Sequence, residues 1–331
     1  MKRRYKLLTF AAILAVIVGA FRGYAGRRKR QSVDEDLRWI KSTEHSAQKP
    51  TLVIVHGLGG SAYHVNHVLH PHFVGYANVI TISLPGHGGQ EAIPESERTI
   101  PKMAKWLRAR IAEELDAIGV EQCTLLGISL GGELSRRLVI DEARSDRIVK
   151  ELILFDAPYR SAFAPRWHRA LFGTLFKLNY AARPFLGQDG QALLIKLIGR
   201  TARSIGNIEE DIDRWYESTE VYEINAHCER INDQQLHWPS WVWSVRAILT
   251  YDGEEVVKQF PQNVPLLLIG GKETTDPIVQ TGAALSEAIP HSEVVWVDGA
   301  HTFPYHHPKA FATIVIDWMQ EQELRRLRES K

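Results

Sequence analysis

Short runs of apolar residues alternate with longer amphipathic segments from Thr51 onward. The first two runs cover Leu52–Val55 and Val79–Ile82, and a third, Cys123–Leu126, follows an amphipathic stretch from Ile100 to Ile118. Strands that are apolar along their whole length are typical of a parallel sheet with both faces buried, and the amphipathic segments supply the helices that cover it. The pattern therefore predicts an α/β fold with a doubly wound, mostly parallel sheet.

The strand pattern returns in three later runs that are interrupted by a long segment without it. The runs are Glu151–Phe155, Val264–Ile269 and Val294–Val297, and the intervening segment covers roughly Ala157 to Phe260. Prolines and glycines divide this segment into pieces of helical length, so we expect a helical insertion between two strands of the sheet. The predicted organisation is an N-terminal segment of residues 1–30, a core of residues 31–157 and 261–331, and an inserted helical lid of residues 158–260.

The predicted lid is rich in aromatic residues. It holds five of the nine tryptophans, which either form its own core or line an apolar acyl-binding cover over a site: Trp167, Trp215, Trp238, Trp241 and Trp243. Basic residues accompany the aromatic residues in its first part and suit a solvated face, a membrane interface or an anionic acyl carrier: Arg160, Arg166, Arg169, Lys177 and Arg183.

The first thirty residues have a pattern of their own. An uncharged run from Leu7 to Phe21 lies between basic residues at positions 2–6 and a second basic cluster at positions 27–30. A spanning helix needs about 20 apolar residues, although Lys6 and Arg22 can extend the run by snorkelling. The downstream cluster favours an uncleaved membrane anchor, of either orientation, over a cleaved export signal or a soluble tail. We therefore predict a membrane location, with export after cleavage as the alternative.

Charge and cysteine content narrow the possible functions. With 40 basic and 39 acidic side chains, the chain has no electrostatic feature that indicates a nucleic-acid partner. The two cysteines, Cys123 and Cys228, lie far apart without metal-ligand spacing, which rules out a disulfide framework. Four histidines occur within nine residues, but no carboxylate or cysteine accompanies them, so partly exposed helix residues are expected rather than metal ligands: His64, His67, His70 and His72. Neither a metal nor another cofactor is expected.

A candidate nucleophile follows the third apolar run. The sequence Gly-Ile-Ser-Leu-Gly at residues 127–131 stands between that run and a segment compatible with a helix. A serine at the tip of a tight turn between strand and helix has an exposed hydroxyl, and the flanking glycines leave room for the chain to cross. This pattern is typical of a nucleophile elbow, with Ser129 as the nucleophile.

Ser129 needs a general base and an acid that orients the base. In this topology the expected chain order is serine, acid, histidine, with each residue after a strand. His301 follows the last apolar run and is the predicted base, and Asp276 follows the preceding run and is the predicted acid. Asp276 also suits a helix N-cap, and two alternative acids are Glu273, close by, and Asp156, directly after the run that ends at Phe155.

Backbone amides are expected to stabilise the oxyanion that forms during acyl transfer. Leu130 directly follows the nucleophile, and Leu58 lies in the glycine-rich loop His56–Gly60 after the first apolar run. We therefore predict that the amides of Leu58 and Leu130 form the oxyanion hole.

Taken together, these motifs resemble the α/β-hydrolase superfamily, specifically its lid-bearing branch of esterases and lipases, over roughly Leu52 to Met319. The matching motifs are His56–Gly59, Leu84–Gly88, Gly127–Gly131, Asp276–Val279 and Gly299–His301. Relatives usually carry an aspartate where Ser83 stands, a structural position in the family. Epoxide hydrolases and haloalkane dehalogenases of this fold carry aspartate in place of Ser129, so the serine favours acyl transfer.

The resemblance implies a serine esterase or lipase that cleaves a small-molecule or lipid ester with an apolar acyl part. An acyltransferase with the same triad and a non-catalytic ligand-binding protein of this fold are the alternatives. An acyl carrier is a possible partner, and the membrane is expected to bind the N-terminal segment.

Overall fold

Six strands form one sheet within the residues that the computed structural model describes, which are 45–142, 147–158, 216–251, 253–274 and 276–329. The strands are β1 (Thr51–Val55), β2 (Asn78–Ile82), β3 (Cys123–Ile128), β4 (Val149–Phe155), β5 (Leu266–Gly271) and β6 (Glu293–Val297). Their order in the sheet is β2-β1-β3-β4-β5-β6, and each neighbouring pair is parallel.

Helices connect the strands and extend the chain beyond β6. In chain order they are α1 (Ala62–Val68), α2 (His70–Phe73), α3 (Ile100–Asp116), α4 (Leu130–Glu142), α5 (Thr219–Gln235), α6 (Trp238–Thr250), α7 (Glu254–Val257), α8 (Asp276–Ala288), α9 (Phe303–His306) and α10 (Pro308–Glu329). A 3₁₀ turn, Glu95–Glu97, precedes α3.

The local sequence explains where several of these helices start. Ser61 caps α1 by accepting a hydrogen bond from the His64 amide at 3.2 Å, and Ser218 caps α5 by accepting one from the Val221 amide at the same distance. Proline stands in the first turn of α3 and of α6, where its missing N–H removes no intrahelical hydrogen bond.

Both faces of the sheet are buried under helices. Successive side chains of a strand point to opposite faces. On one face Val53 packs in a cluster with Leu107 of α3 and Leu134 of α4, and on the other face Ile54 packs in a cluster with Phe311 of α10. The predicted doubly wound parallel sheet is confirmed, and its continuously apolar strands follow from this two-sided burial.

The described part of the insertion between β4 and β5 consists of helices α5, α6 and α7 and contains no strand. Residues 159–215, which include Trp167 and the five basic residues named above, lie outside the described residues. The bounds 158–260 and the function of this segment as a lid therefore stay predictions.

The predicted membrane location is contradicted. Among the described helices, none combines the length and the apolar character needed to cross a membrane. The predicted anchor, residues 1–30, lies outside the described residues.

Candidate active site

The turn after β3 has the geometry of a nucleophile elbow. Ser129 connects β3 directly to α4 and has a φ of 52°, in the left-handed region that a non-glycine residue rarely adopts. Its amide donates to the carbonyl oxygen of Phe155 at 2.9 Å, which ties the turn to the end of β4. A Cβ atom at Gly127 would lie 2.5 Å from the Cα atom of Gly132, and one at Gly131 would overlap the carbonyl oxygen of Val55. The two glycines are therefore required for the close approach of the chain segments around Ser129.

The loop after β1 passes beside Ser129. A Cβ atom at Gly57 would lie 3.1 Å from the Cβ atom and 3.7 Å from the hydroxyl oxygen of Ser129. Leu58 follows, half-buried against the core. Leu130 is the first residue of α4, where backbone N–H groups have no acceptor within the helix and the helix dipole favours negative charge. The structure thus brings the neighbourhoods of both predicted oxyanion amides close to the serine.

A neutral histidine holds this loop in place. His56 is fully buried, its Nδ1–H donates to the carbonyl oxygen of Gly57 at 2.7 Å, and its Nε2 accepts from the amide of Leu84 at 3.0 Å. Burial, together with the nearby ring of His87, lowers the pKa of His56 to about 3. His56 therefore links the loop of Leu58 to the turn that begins at Leu84 without carrying a charge.

The carboxylate that contacts His301 belongs to Asp156. The Nδ1 atom of His301 lies 3.2 Å from the Oδ2 atom of Asp156, whose side chain is 2% exposed. Two further groups hold this carboxylate: the amide of Gly271 donates to Oδ1 at 3.1 Å, and the hydroxyl of Thr274 donates to Oδ2 at 2.7 Å. Asp156 has a φ of 43°, again in the left-handed region. The buried carboxylate is thus aimed at one edge of the His301 ring.

The predicted pairing of His301 with Asp276 stays a prediction beside this contact. Asp276 begins α8, and its side chain lies outside the described part of the chain. Glu273, the nearer alternative, is exposed, and its amide donates to the carbonyl oxygen of Gly299 at 2.9 Å. Because β4 and β5 are adjacent parallel strands that end at the same edge, an acid after either strand can reach a histidine after β6.

Thr274 is a site residue that the sequence analysis missed. Its hydroxyl holds Asp156 from the loop that follows β5, which is the loop in which the acid was expected. Threonine in a short polar loop carries no sequence signal for such a function. Only the approach of two loops 118 residues apart in sequence identifies it.

The inserted segment also reaches the site. The amide of His237 donates to the carbonyl oxygen of Gly86 at 2.8 Å, which fixes the start of α6 beside the turn at Leu84. One turn further along, the indole nitrogen of Trp241 lies 3.6 Å from where a Cβ atom of Gly59 would be. An aromatic side chain of α6 therefore lies over the glycine-rich loop of Leu58.

Of the four clustered histidines, His64 is buried, contrary to the prediction of partly exposed residues, and the other three are half-buried. Within the described ranges, no group of three histidine, cysteine, aspartate or glutamate side chains has the arrangement needed to hold a metal ion.

Comparisons with known proteins support the fold. Residues 50–308 match a family model described as alpha/beta hydrolase fold. The pimeloyl-[acyl-carrier protein] methyl ester esterase of Aeromonas hydrophila subsp. hydrophila is 38% identical over 99 residues, which cover 30% of this chain and 35% of that protein. The match thus spans about a third of the length of this curated relative.

Solved structures have a similar fold. A hydrolase from Pseudomonas aeruginosa PA01 superimposes with a TM-score of 0.60 at 18% identity, covering 83% of this chain and 92% of that one. The esterase EaEST from Exiguobacterium antarcticum gives a TM-score of 0.61 at 15% identity, covering 82% of this chain and 92% of that one. At such identities the likeness concerns the fold alone.

Proposed function

Because the chain belongs to the α/β-hydrolase fold family, we propose that it is a serine hydrolase that cleaves carboxylic esters through an acyl-enzyme on Ser129. The observation that carries the proposal is the contact between His301 and Asp156, 3.2 Å long, at the sheet edge where the strained turn of Ser129 lies. The family match and the esterase relative support hydrolase activity in general.

In the acylation step, the Oγ atom of Ser129 attacks the ester carbonyl carbon while Nε2 of His301 takes the hydroxyl proton. The Nδ1–H group of His301 donates to Asp156, which stabilises the imidazolium and keeps the ring oriented. The carbonyl electron pair moves to oxygen, and the amides of Leu58 and Leu130 donate to that oxyanion. The tetrahedral intermediate collapses, the alcohol leaves, and His301 returns the proton to it.

In the second step, water replaces the alcohol. His301 removes a proton from the water, the hydroxide attacks the acyl carbon, and the carboxylic acid leaves as Ser129 regains its proton. A product assay with and without an added alcohol or thiol distinguishes this hydrolysis from acyl transfer to another acceptor.

Asp156 is the orienting acid in this proposal, in place of Asp276. This assignment is supported by the buried carboxylate of Asp156, which accepts hydrogen bonds from the Gly271 amide, the Thr274 hydroxyl and His301. Asp276 stays the competing assignment, and the parallel variants described in the Discussion decide between the two.

We infer an apolar acyl part for the substrate from the aromatic side chain that α6 presents. Trp241 lies against Gly59 and Leu58 is half-buried beside it, so an ester bound at Ser129 meets apolar surface on the side of the oxyanion loop. Excluding water from this side strengthens the hydrogen bonds to the oxyanion. The relative named above acts on a methyl ester of an acyl-carrier-bound acid, which makes a carrier-bound acyl ester one candidate substrate.

The decisive experiment replaces the nucleophile. Ser129→Ala is expected to lower hydrolysis of p-nitrophenyl butyrate by at least about 10³-fold and to abolish labelling by a fluorophosphonate probe. The matched control is Ser286→Ala, because the Ser286 hydroxyl donates to the Ala283 carbonyl of its own helix, α8. Both variants are expected to unfold at the wild-type temperature. Retained hydrolysis and labelling in Ser129→Ala would falsify the proposal.

A further inference from the structure

Helix α5 is attached to the chain that follows His301. The amide of Glu217, just before α5, donates to the carbonyl oxygen of His306 at 2.9 Å. Within the helix, the Nδ2 group of Asn225 donates to the carbonyl oxygen of Tyr305 at 2.8 Å. Both acceptors lie in α9, which begins two residues after His301. The first half of α5 thus holds the segment that carries the proposed base.

The other end of α5 is attached to the chain that follows the oxyanion loop. The hydroxyl of Ser61, the residue after Gly60, donates to the Oδ1 atom of Asn232. At the end of the helix, the carbonyl oxygen of Gln235 accepts from the amide of Gly89 at 3.3 Å. One helix of the insertion therefore contacts the segments behind His301 and behind Leu58.

His64 of α1 lies between these two attachments. Its side chain is buried, its Nε2 atom lies 2.7 Å from Oδ1 of Asn225, and its Nδ1 atom lies 3.3 Å from Nδ2 of Asn232. Its ring stacks on the ring of Tyr305 with centroids 4.4 Å apart. The His64 side chain therefore touches both asparagines and the segment after His301.

The hydrogen-bond network determines the protonation of His64. Nδ2 of Asn225 already donates to the carbonyl oxygens of Val221 and Tyr305, so its Oδ1 faces His64 and Nε2 must carry the proton. Oδ1 of Asn232 already accepts from Ser61, so its Nδ2 faces His64 and Nδ1 must accept. A neutral ring with one proton on Nε2 meets both demands. Burial lowers the pKa of His64 to about 4, in agreement with a neutral ring.

We propose that His64 is a positioning residue that joins the oxyanion loop and the His301 segment through helix α5. This inference rests on the proposed function. His64 is not a catalytic residue, because its contacts are with Asn225, Asn232 and Tyr305 and not with the residues proposed to react. The consequence is that loss of its two hydrogen bonds displaces both parts of the catalytic machinery at once.

Kinetics on a short ester tests the proposal. His64→Phe keeps an aromatic ring against Tyr305 but leaves buried amide groups of Asn225 and Asn232 without their partner. For p-nitrophenyl acetate, which is too small to use the predicted lid, kcat is expected to fall by about tenfold while KM stays within about twofold. His64→Gln supplies one donor and one acceptor and is expected to recover kcat to within about threefold of the wild type.

The matched control is His67→Phe, one turn further along α1, where the ring is half-buried and its Nδ1 donates to the carbonyl oxygen of Tyr63 in the same helix. It is expected to have wild-type kcat. A wild-type kcat in His64→Phe, or equal losses in His64→Gln and His64→Phe, would overturn the proposal. If His64→Phe does not fold, Asn232→Ala takes its place, because it removes the amide between His64 and Ser61. The kcat of Asn232→Ala is then expected to fall by about tenfold, and a wild-type kcat in this variant counts against the proposal.

Hydrogen exchange separates this inference from the proposed function because it needs no activity. In a Ser129→Ala background, amides of residues 56–61 and 299–306 are expected to exchange at least about tenfold faster with His64→Phe than with His67→Phe. Faster exchange in only one of the two segments, or in neither, overturns the coupling even if the wild-type protein is an esterase. Faster exchange in both supports it even if the substrate proves to be of another class.

Discussion

The exchange of Asp156 for asparagine gives a prediction that follows atom by atom from the structure. The Oδ1 atom of Asp156 accepts from the amide of Gly271 at 3.1 Å, while Oδ2 faces Thr274 and His301. In Asp156→Asn the amide oxygen must stay toward Gly271, because the opposite orientation sets an NH₂ group against a backbone N–H. The NH₂ group then faces Nδ1 of His301.

That orientation forces the wrong tautomer on the base. His301 must accept at Nδ1, so its proton moves to Nε2, the atom that takes the proton of Ser129 in the proposed mechanism. Loss of the base in this manner lowers kcat by about 10³- to 10⁴-fold, which is about 4 to 5.5 kcal/mol in activation free energy. The volume of the side chain hardly changes, so the fold is expected to stay intact.

The assay is steady-state hydrolysis of p-nitrophenyl butyrate, with thermal unfolding as the measure of folding. Asp276→Asn is the matched control, since asparagine caps a helix as well as aspartate does and α8 begins at this residue. Its kcat is expected to stay within about threefold of the wild type. If Asp276→Asn instead loses about 10³-fold and Asp156→Asn keeps its activity, the assignment of Asp156 is refuted and that of Asp276 is restored.

Three further predictions follow from the same contacts. Thr274→Val removes a hydroxyl that donates to Asp156 at 2.7 Å, so kcat is expected to fall by about five- to tenfold, whereas an unchanged kcat shows that the hydroxyl is dispensable. Trp241→Ala should shift the preferred acyl chain length in a series of p-nitrophenyl esters, because Trp241 lies against Gly59. Trp243→Ala is the control, since the Trp243 ring faces the Arg246 guanidinium at 4.5 Å. The same chain-length profile in Trp241→Ala and the wild type contradicts the apolar pocket. Burial lowers the pKa of His56 to about 3 and that of His87 to about 4, so below pH 6.5 the unfolded chain binds more protons than the folded chain. The free energy of unfolding, measured by chemical denaturation, should therefore decrease as the pH falls from 6.5 toward 4. A free energy of unfolding that stays constant over this range would argue against neutral buried rings.

Local patterns predicted the scaffold and part of the site. Apolar runs of four to six residues separated by amphipathic stretches indicated a parallel sheet because both faces of such a sheet are buried, and the structure has that sheet. The glycines around Ser129 indicated the tight turn because their effect is local: each removes a side chain where two chain segments cross. His301 stays the predicted base, in the loop that follows the last strand, β6.

The contacts between distant parts of the chain were decided by tertiary structure. The sequence favoured Asp276 over Asp156 as the acid, although each follows a strand that ends at the same edge, and the contact of Asp156 with His301 became visible only in the fold. It also grouped His64 with three histidines expected to be partly exposed, although the hydrogen-bond partners that bury His64 stand 161 and 168 residues away. Periodicity along a chain reports which face of an element is apolar, whereas a hydrogen bond between two elements depends on where the fold brings them.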